Sequence, residues 1–214
     1  GLLMLRTAIF TTSTLSKDME AAHDLGYKIK LIASAYLSKD GKADVRVHPM
    51  LVSQKSTLAH INYVTNAVSL EGHPVGGITL SGPGAGEFPT ASSVVGDILA
   101  IAAELNTTNY LLPMMRCNHS SAAEMIDIAD TENKYYLSIN AKNNKGVIGK
   151  IGTICAENEI SLASIVQRGV SEDNTADITV ITELCREKDM QKTIKAFEAD
   201  DMINKVNSMI RVQI

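Results

Sequence analysis

The residues best placed to do chemistry lie between Ser81 and Leu105, in SGPGAGEFPTASSVVGDILAIAAEL. Gly82, Gly84 and Gly86 bracket Pro83 and Ala85, and Pro89-Thr90 then opens a long apolar stretch. Glycine admits positive φ and lets another molecule come against bare backbone. Proline at a helix start sacrifices nothing, because the N–H it lacks has no intrahelical partner there. The pattern predicts a strand-to-helix turn whose backbone N–H groups sit at the positive end of a helix dipole, a place suited to phosphate, carboxylate or ribose oxygens. The same pattern serves a turn that needs glycine only for tight packing, and on the loop alone that is the favoured use.

Other chemically capable side chains group less well. Asp24 and Lys28 have the i, i+4 spacing of an acid–lysine pair, but Gly26-Tyr27 interrupts any helix between them, so they read as a solvated pair. Lys30 falls in an apolar run, where its stem can lie along the surface with the ammonium outward. His48, before Pro49, suits a structural hydrogen bond, and His23, His60, His73 and His119 share no metal-binding spacing. Cys117, Cys155 and Cys185 are far apart and form no C-x-x-C, which predicts reduced packing residues and no metal site. Glu71 and Asp97 are turn or surface acids that could reach the glycine loop. No Ser-His-Asp or Cys-His set assembles.

The chain has 214 residues, room for one large or two modest domains. Its net charge of −4 and the absence of a basic block with interleaved aromatics argue against nucleic acid as a partner. The opening GLLML is too short and uncharged for a signal peptide, and no apolar run nears the ~18 residues of a membrane span, so a cytoplasmic protein is expected. Beginning at Gly1, the chain reads as a trimmed fragment.

Elements must now position that loop. Ser16 to Leu25 predicts a short helix with Met19, Ala22 and Leu25 on one face and Gly26 as its stop. KIKLIASAYL and ADVRVHPMLV, joined at Lys39-Asp40-Gly41-Lys42, predict a hairpin. SQKSTLAHI predicts a short helix, and VTNAVSLEG with GITLSG a second hairpin whose last strand delivers the glycine loop. From 106 to 133 no period is sustained; Met114, Met115 and Met125 suit adaptable packing in a connector. Beyond lies strand KYYLSINA, helix VIGKIGTICAEN, strand ISLASIVQRGV, strand ADITVITEL, helix EKDMQKTIKAFEAD and strand KVNSMIRVQI. That β-α-β-β-α-β order is a ferredoxin-like unit. Val147, Ile151, Ile154 and Cys155 face its core from the first helix, and Met190, Ile194 and Phe197 from the second. The expected class is α+β: a mixed or antiparallel sheet with helices over 1–112, a connector over 113–132, and the ferredoxin-like unit over 133–214.

The last unit resembles an ACT domain, on KNNKGVIGKI and ISLASIVQRG; Lys145 stands where that family often has proline. The first half resembles the C-terminal part of the catalytic and dimerisation domain of homoserine dehydrogenase, on LGYKIKLIASA, VRVHPMLV, Asn66-Ala67-Val68 with EGHPVG, and SGPGAGEFPTASSVVGDIL. MIRVQI and VITELCREKDM fit the same enzyme's ACT extension. The resemblance implies reduction of aspartate semialdehyde to homoserine with NAD(P)H, on the route to threonine and methionine. It also implies that Gly82, Gly84, Ala85 and Gly86 close over the nicotinamide end of the coenzyme. Thr90 would offer a hydroxyl contact or cap the helix. The family's Rossmann turn and catalytic lysine segment have no counterpart before Gly82, so this chain alone is expected to be inactive and to bind no coenzyme tightly. The resemblance further implies an amino-acid effector, threonine first, at Asn143, Asn144, Gly146, Val147 and Ile148, with Ser161 and Ser164 as possible partners. It also implies a homodimer or higher homo-oligomer. The alternative is a stand-alone, non-catalytic amino-acid sensor or regulatory subunit.

Overall fold

The computed structural model describes residues 2–5, 13–105, 122–170 and 173–213. The strands in chain order are β1 (Leu2–Leu5), β2 (Tyr27–Leu37), β3 (Ala43–Ser53), β4 (Thr65–Gly72), β5 (Gly76–Pro83), β6 (Glu132–Lys142), β7 (Leu162–Val170), β8 (Thr175–Thr182), β9 (Cys185–Arg186) and β10 (Ile203–Val212). The helices are α1 (Ser13–Asp24), α2 (Glu87–Leu105), α3 (Val147–Glu157) and α4 (Glu187–Glu198). Residues 106–121, with Met114, Met115, Cys117 and His119, lie outside the described residues.

Both expected hairpins form. Gly41, at φ +83, turns β2 into β3, with Ser38 N donating to Lys42 O at 2.8 Å. Short SQKSTLAHI becomes a 3-10 turn, Thr57–His60, capped by Ser56. The α+β class holds, with one difference in assembly: the strands form a single sheet in the order β5-β4-β1-β2-β3-β10-β6-β8-β7. Its halves join where β10 runs parallel to β3, Arg211 opposite Met50 and Val212 opposite Leu51. β1, which sequence pattern did not reveal, lies between β2 and β4 in this sheet.

Alternation along β6 divides the core. Tyr135, Leu137, Ile139 and Ala141 point to α3 and α4, where Val147, Ile151, Ile154, Cys155, Met190 and Phe197 meet them. Tyr136 points the other way, to Ala21 and Ala22 of α1 and to Leu51, Ile210 and Val212. Thus α1, from the first half, covers the face of the ferredoxin-like sheet that its own helices leave open. The helix starts at Ser13, three residues before expectation, and among its described side chains Asp18, Ala21 and Ala22 are buried, while Met19 is 56% exposed. Cys155 and Cys185 are free and buried, and burial pushes the Cys155 thiol up to about 11, which keeps it an inert packing group. Among the described residues no helix is long and apolar enough to cross a membrane.

Candidate functional site

The glycine loop is built by pairing and then by release from pairing. β4 and β5 run antiparallel with Asn66 opposite Gly82 and Thr65 opposite Pro83. One further bond, Gly84 N to Val64 O at 2.7 Å, carries the ladder past the end of the strand. At Gly86 φ is +127, a region essentially restricted to glycine, and the chain turns there into α2. Gly82, Gly84, Ala85 and Gly86 are all exposed. Thr90 is neither a cap nor a free hydroxyl donor: its Oγ1 donates back to Gly86 O at 2.7 Å, one turn behind. Its backbone N–H donates to the same oxygen at 3.1 Å. Glu71 does not reach this turn, since it sits opposite Gly77 at the far end of the hairpin.

Sequence reasoning missed Asn66 as a member of the site. A Cβ on Gly84 would lie 1.8 Å from Asn66 Nδ2 and 2.4 Å from its Cγ, so the asparagine carboxamide occupies the space a side chain would need. The visible signal was its strand position two residues after Val64, whose carbonyl accepts from Gly84, but no sequence period reports a side chain folded over a glycine.

Lys30 also departs from expectation. Its Nζ donates to Ile61 O at 2.6 Å and to Asn62 Oδ1 at 2.9 Å, tying the loop before β4 to β2. Burial lowers its pKa, with Lys28 adding to the effect. His48 makes the structural bond expected of it, Nδ1 to Pro49 O at 2.9 Å. Asp24 is held by Arg168 at 2.5 Å and is not paired with Lys28 in this structure.

The loop before α3 forms a second candidate site. Gly146, at φ +93, is the residue preceding the helix, and no side chain caps it. Asn143 is fixed by Asn174, N to O at 3.0 Å, and receives Gln167 Nε2 at 3.4 Å. Val147 is buried and its N–H bonds to Asn144 O at 3.2 Å, so it shapes the loop from the core side. Ile148 is partly open to solvent. Ser161 and Ser164 are not brought to this loop within one chain: Ser164 lies opposite Ile181, whereas the loop adjoins the Thr175 end of β8. Gln167 is the β7 residue that reaches it.

Between the two halves runs a polar seam along the β3–β10 junction, beside a cleft of about 740 Å³ lined by Arg46, Met50, Glu71, Asn133 and Gln213 among others. Arg46 is ion-paired with Asp44 and donates to Asn133 Oδ1 at 3.3 Å. Asn133 Nδ2 donates to Tyr135 OH at 3.1 Å, and Tyr135 OH donates to Glu187 Oε2 at 2.6 Å. Arg211 Nη2 and Gln191 Nε2 complete the coordination of Glu187 at 2.6 and 2.8 Å. Burial raises the pKa of Glu187, but these bonds outweigh it and hold the carboxyl below its ordinary value. Across the sheet, Tyr136 OH donates to Asp18 Oδ1 at 3.0 Å. Burial raises the Asp18 carboxyl against the hydrogen bonds that oppose it. Among the described residues no three His, Cys, Asp or Glu side chains gather as metal ligands would.

Comparison with known proteins bears on both halves. Residues 6–99 match the family model for homoserine dehydrogenase, and residues 135–201 that for the ACT domain. The homoserine dehydrogenase of Neisseria gonorrhoeae is 35% identical over 202 residues, covering 92% of this chain and 46% of the relative. That of Synechocystis is 33% identical over 206 residues, covering 94% and 47%. The crystal structure of a homoserine dehydrogenase from Thiobacillus denitrificans superposes with a TM-score of 0.76 at 29% identity, over 92% of this chain and 45% of that one. A Staphylococcus aureus homoserine dehydrogenase structure shares the fold, with a TM-score of 0.59 at 21% identity. The chain spans about half the length of the curated relatives it matches.

Proposed function

We propose, from a chain whose residues 6–99 belong to the homoserine dehydrogenase family and whose residues 135–201 are an ACT domain, that it supplies the coenzyme-covering turn, the dimerisation sheet and the effector module of an NAD(P)-dependent homoserine dehydrogenase. The substrate is aspartate semialdehyde, the product is homoserine on the route to threonine and methionine, and the setting is cytoplasmic. The observation that carries this reading is the open turn at Gly82 to Gly86, where bare backbone follows the last strand and leads into α2. Such a turn excludes side chains from one side of a flat ring, so that main-chain groups can lie against it. NAD(P)H, bound by the complete enzyme, supplies the hydride. This chain's part is to orient the nicotinamide end and to screen it from water.

The polypeptide by itself is inactive in this reading. Following NADPH oxidation with aspartate semialdehyde tests it: no turnover is expected from the 214 residues alone, and measurable turnover refutes that part. A Gly82→Val change in the enzyme assembled with its nucleotide-binding domain should weaken coenzyme binding. Gly82 has no atom within 4 Å of the place a Cβ would take, so the loss would report the ligand and not the fold.

A second activity, sensing, is favoured by Gly146. A left-handed residue ahead of an uncapped, exposed helix start leaves N–H groups for an amino-acid carboxylate. Threonine is the first choice, held at Asn143, Asn144 and Gly146, with Ile148 alongside. Calorimetry that shows no heat with threonine, methionine or isoleucine removes this activity from the reading.

Self-association rests on an uncovered apolar face. Val47 lies opposite Ala33, and the row continues through β1 to Val68 and Leu80. Val45, Val47 and Leu80 are 57%, 66% and 63% exposed. A face of this kind on a soluble enzyme segment is an association surface, and a homodimer is the expected state.

A further inference from the structure

We propose that Asn66 is a coenzyme-contacting residue, whose carboxamide forms hydrogen bonds with the carboxamide of the nicotinamide; this rests on the coenzyme reading of the glycine turn. Three features of the site lead there. First, Asn66 and Gly84 are packed so closely that a methyl group on Gly84 would overlap the asparagine amide, its ideal position being 1.8 Å from Nδ2. Anything laid against the bare backbone of Gly84 therefore meets the Asn66 side chain at the same time. Second, that side chain is exposed and makes no hydrogen bond among the described residues. A primary amide offers two donors and an acceptor with two lone pairs, and here the described residues take up none of them.

Third, two nearby groups are already committed, and the turn itself carries no polar side chain. The Thr90 hydroxyl donates to Gly86 O, and the Gly84 N–H donates to Val64 O. Positions 82 to 86 carry no side chain larger than the Pro83 ring. Positions 82 to 86 can supply flat contact but no side-chain polarity, and Asn66, packed on Gly84, supplies it. Nicotinamide presents a matching group, since its own carboxamide has a carbonyl acceptor and an NH₂ donor. Two amides meeting edge to edge satisfy each other with paired N–H···O bonds and fix the rotation of the ring. A hydroxyl or a lysine at position 66 would not offer both partners in one plane.

The test uses the complete dehydrogenase, assembled with its nucleotide-binding domain, and reads coenzyme binding by NADPH fluorescence in the absence of substrate. Asn66→Ala removes the amide. Asn66→Asp keeps the shape and replaces the donor with a charged acceptor. Gly82→Val probes the turn independently. At least tenfold weaker NADPH binding is expected for each Asn66 variant, with the thermal midpoint unchanged, because an exposed side chain without partners contributes little to folding. Normal binding in both Asn66 variants while Gly82→Val binds weakly overturns the assignment of Asn66 and leaves the turn's role standing. Normal binding in all three overturns both. Weakened binding in Asn66→Ala with Asn66→Asp fully normal also overturns the proposal, since a carboxylate cannot donate to the nicotinamide carbonyl.

Discussion

Replacing Glu187 is the sharpest test of the buried polar network in the ferredoxin-like half. Its side chain is 7% exposed and that of Arg211 is 14% exposed. Glu187 accepts three hydrogen bonds, from Tyr135, Arg211 and Gln191. Glu187→Ala strands the Arg211 guanidinium without its carboxylate and leaves the Tyr135 hydroxyl without its acceptor. Removing one partner of a buried ion pair costs about 3–5 kcal/mol. Against a total stability of about 5–15 kcal/mol for a domain, that is enough to unfold a large fraction of the ACT half under mild denaturant. Glu187→Gln preserves the shape and one acceptor, and should cost about 1.5–3 kcal/mol, the range for a hydrogen bond to a charged group. The pair Glu187→Leu with Arg211→Met removes both charges at once and should recover much of the loss.

Urea unfolding followed by circular dichroism at pH 7 measures all three. The acid side gives a further handle. The folded carboxyl titrates below its ordinary value of 4.5, so its contribution is present above that pH and is lost as pH falls through the lower folded value. Glu187→Gln should flatten that acid limb. A cost under about 1 kcal/mol for Glu187→Ala, well short of the buried-pair range, would refute the account. So would a double variant as unstable as the sum of its parts.

Three further outcomes follow from the geometry. Asp18 is almost fully buried, and its carboxyl is raised by burial above 3.8. Its share of stability is complete below that value and is lost as pH rises through the folded pKa. The groups that bond to its carboxyl are the hydroxyls of Tyr136, Ser138 and Ser208. Asp18→Asn should therefore gain in melting temperature over the native chain between pH 4 and pH 7; an equal difference at both pH values would dismiss the buried carboxyl as the cause. Gly86→Ala places a side chain at φ +127 and 3.2 Å from Pro89 Cδ, and should cost about 1–3 kcal/mol in denaturant unfolding, whereas an unchanged midpoint would mean that the turn relaxes freely. Val47→Glu sets a charge on the exposed apolar row and should yield a monomer by light scattering with unchanged circular dichroism; a dimer of native size would move the association surface elsewhere.

What the sequence disclosed follows the length scale of the forces involved. The ferredoxin-like unit was legible because Val147, Ile151, Ile154 and Cys155 repeat at helical spacing, and because Asp-Gly and Gly-rich turns mark hairpins by local backbone need. β1 was not legible: four apolar residues with no alternation read equally as strand, helix or tail, and only the free edges of β2 and β4 decide. The face of α1 was legible in part, since Ala22 and Leu25 pack with Tyr136 as expected while Met19 is exposed. Met19, Ala22 and Leu25 make a plausible stripe, but α1 lies against the small space over Tyr136. There Ala21, Ala22 and a hydrogen-bonded Asp18 fit and a methionine does not. Tertiary pairing, as at β3–β10, leaves no local trace because each strand reads the same with either neighbour.

The candidate site divides along the same line. Glycines at 82, 84 and 86 could be read as backbone requirements, and positive φ at Gly86 and Gly146 shows two such requirements directly. Asn66 could not, because its role depends on which glycine it covers across a ladder. The apolar character of α2 presents the converse case. Except for half-buried Pro89, every described side chain on it is exposed, Phe88, Ile98, Leu99 and Ile101 included. A helix apolar on all sides is the pattern of an element enclosed by other structure, and the described residues do not enclose it. Its sequence was thus shaped by surfaces beyond those residues. The glycine turn leads directly into this helix, so contacts beyond the described residues bear on the turn as well.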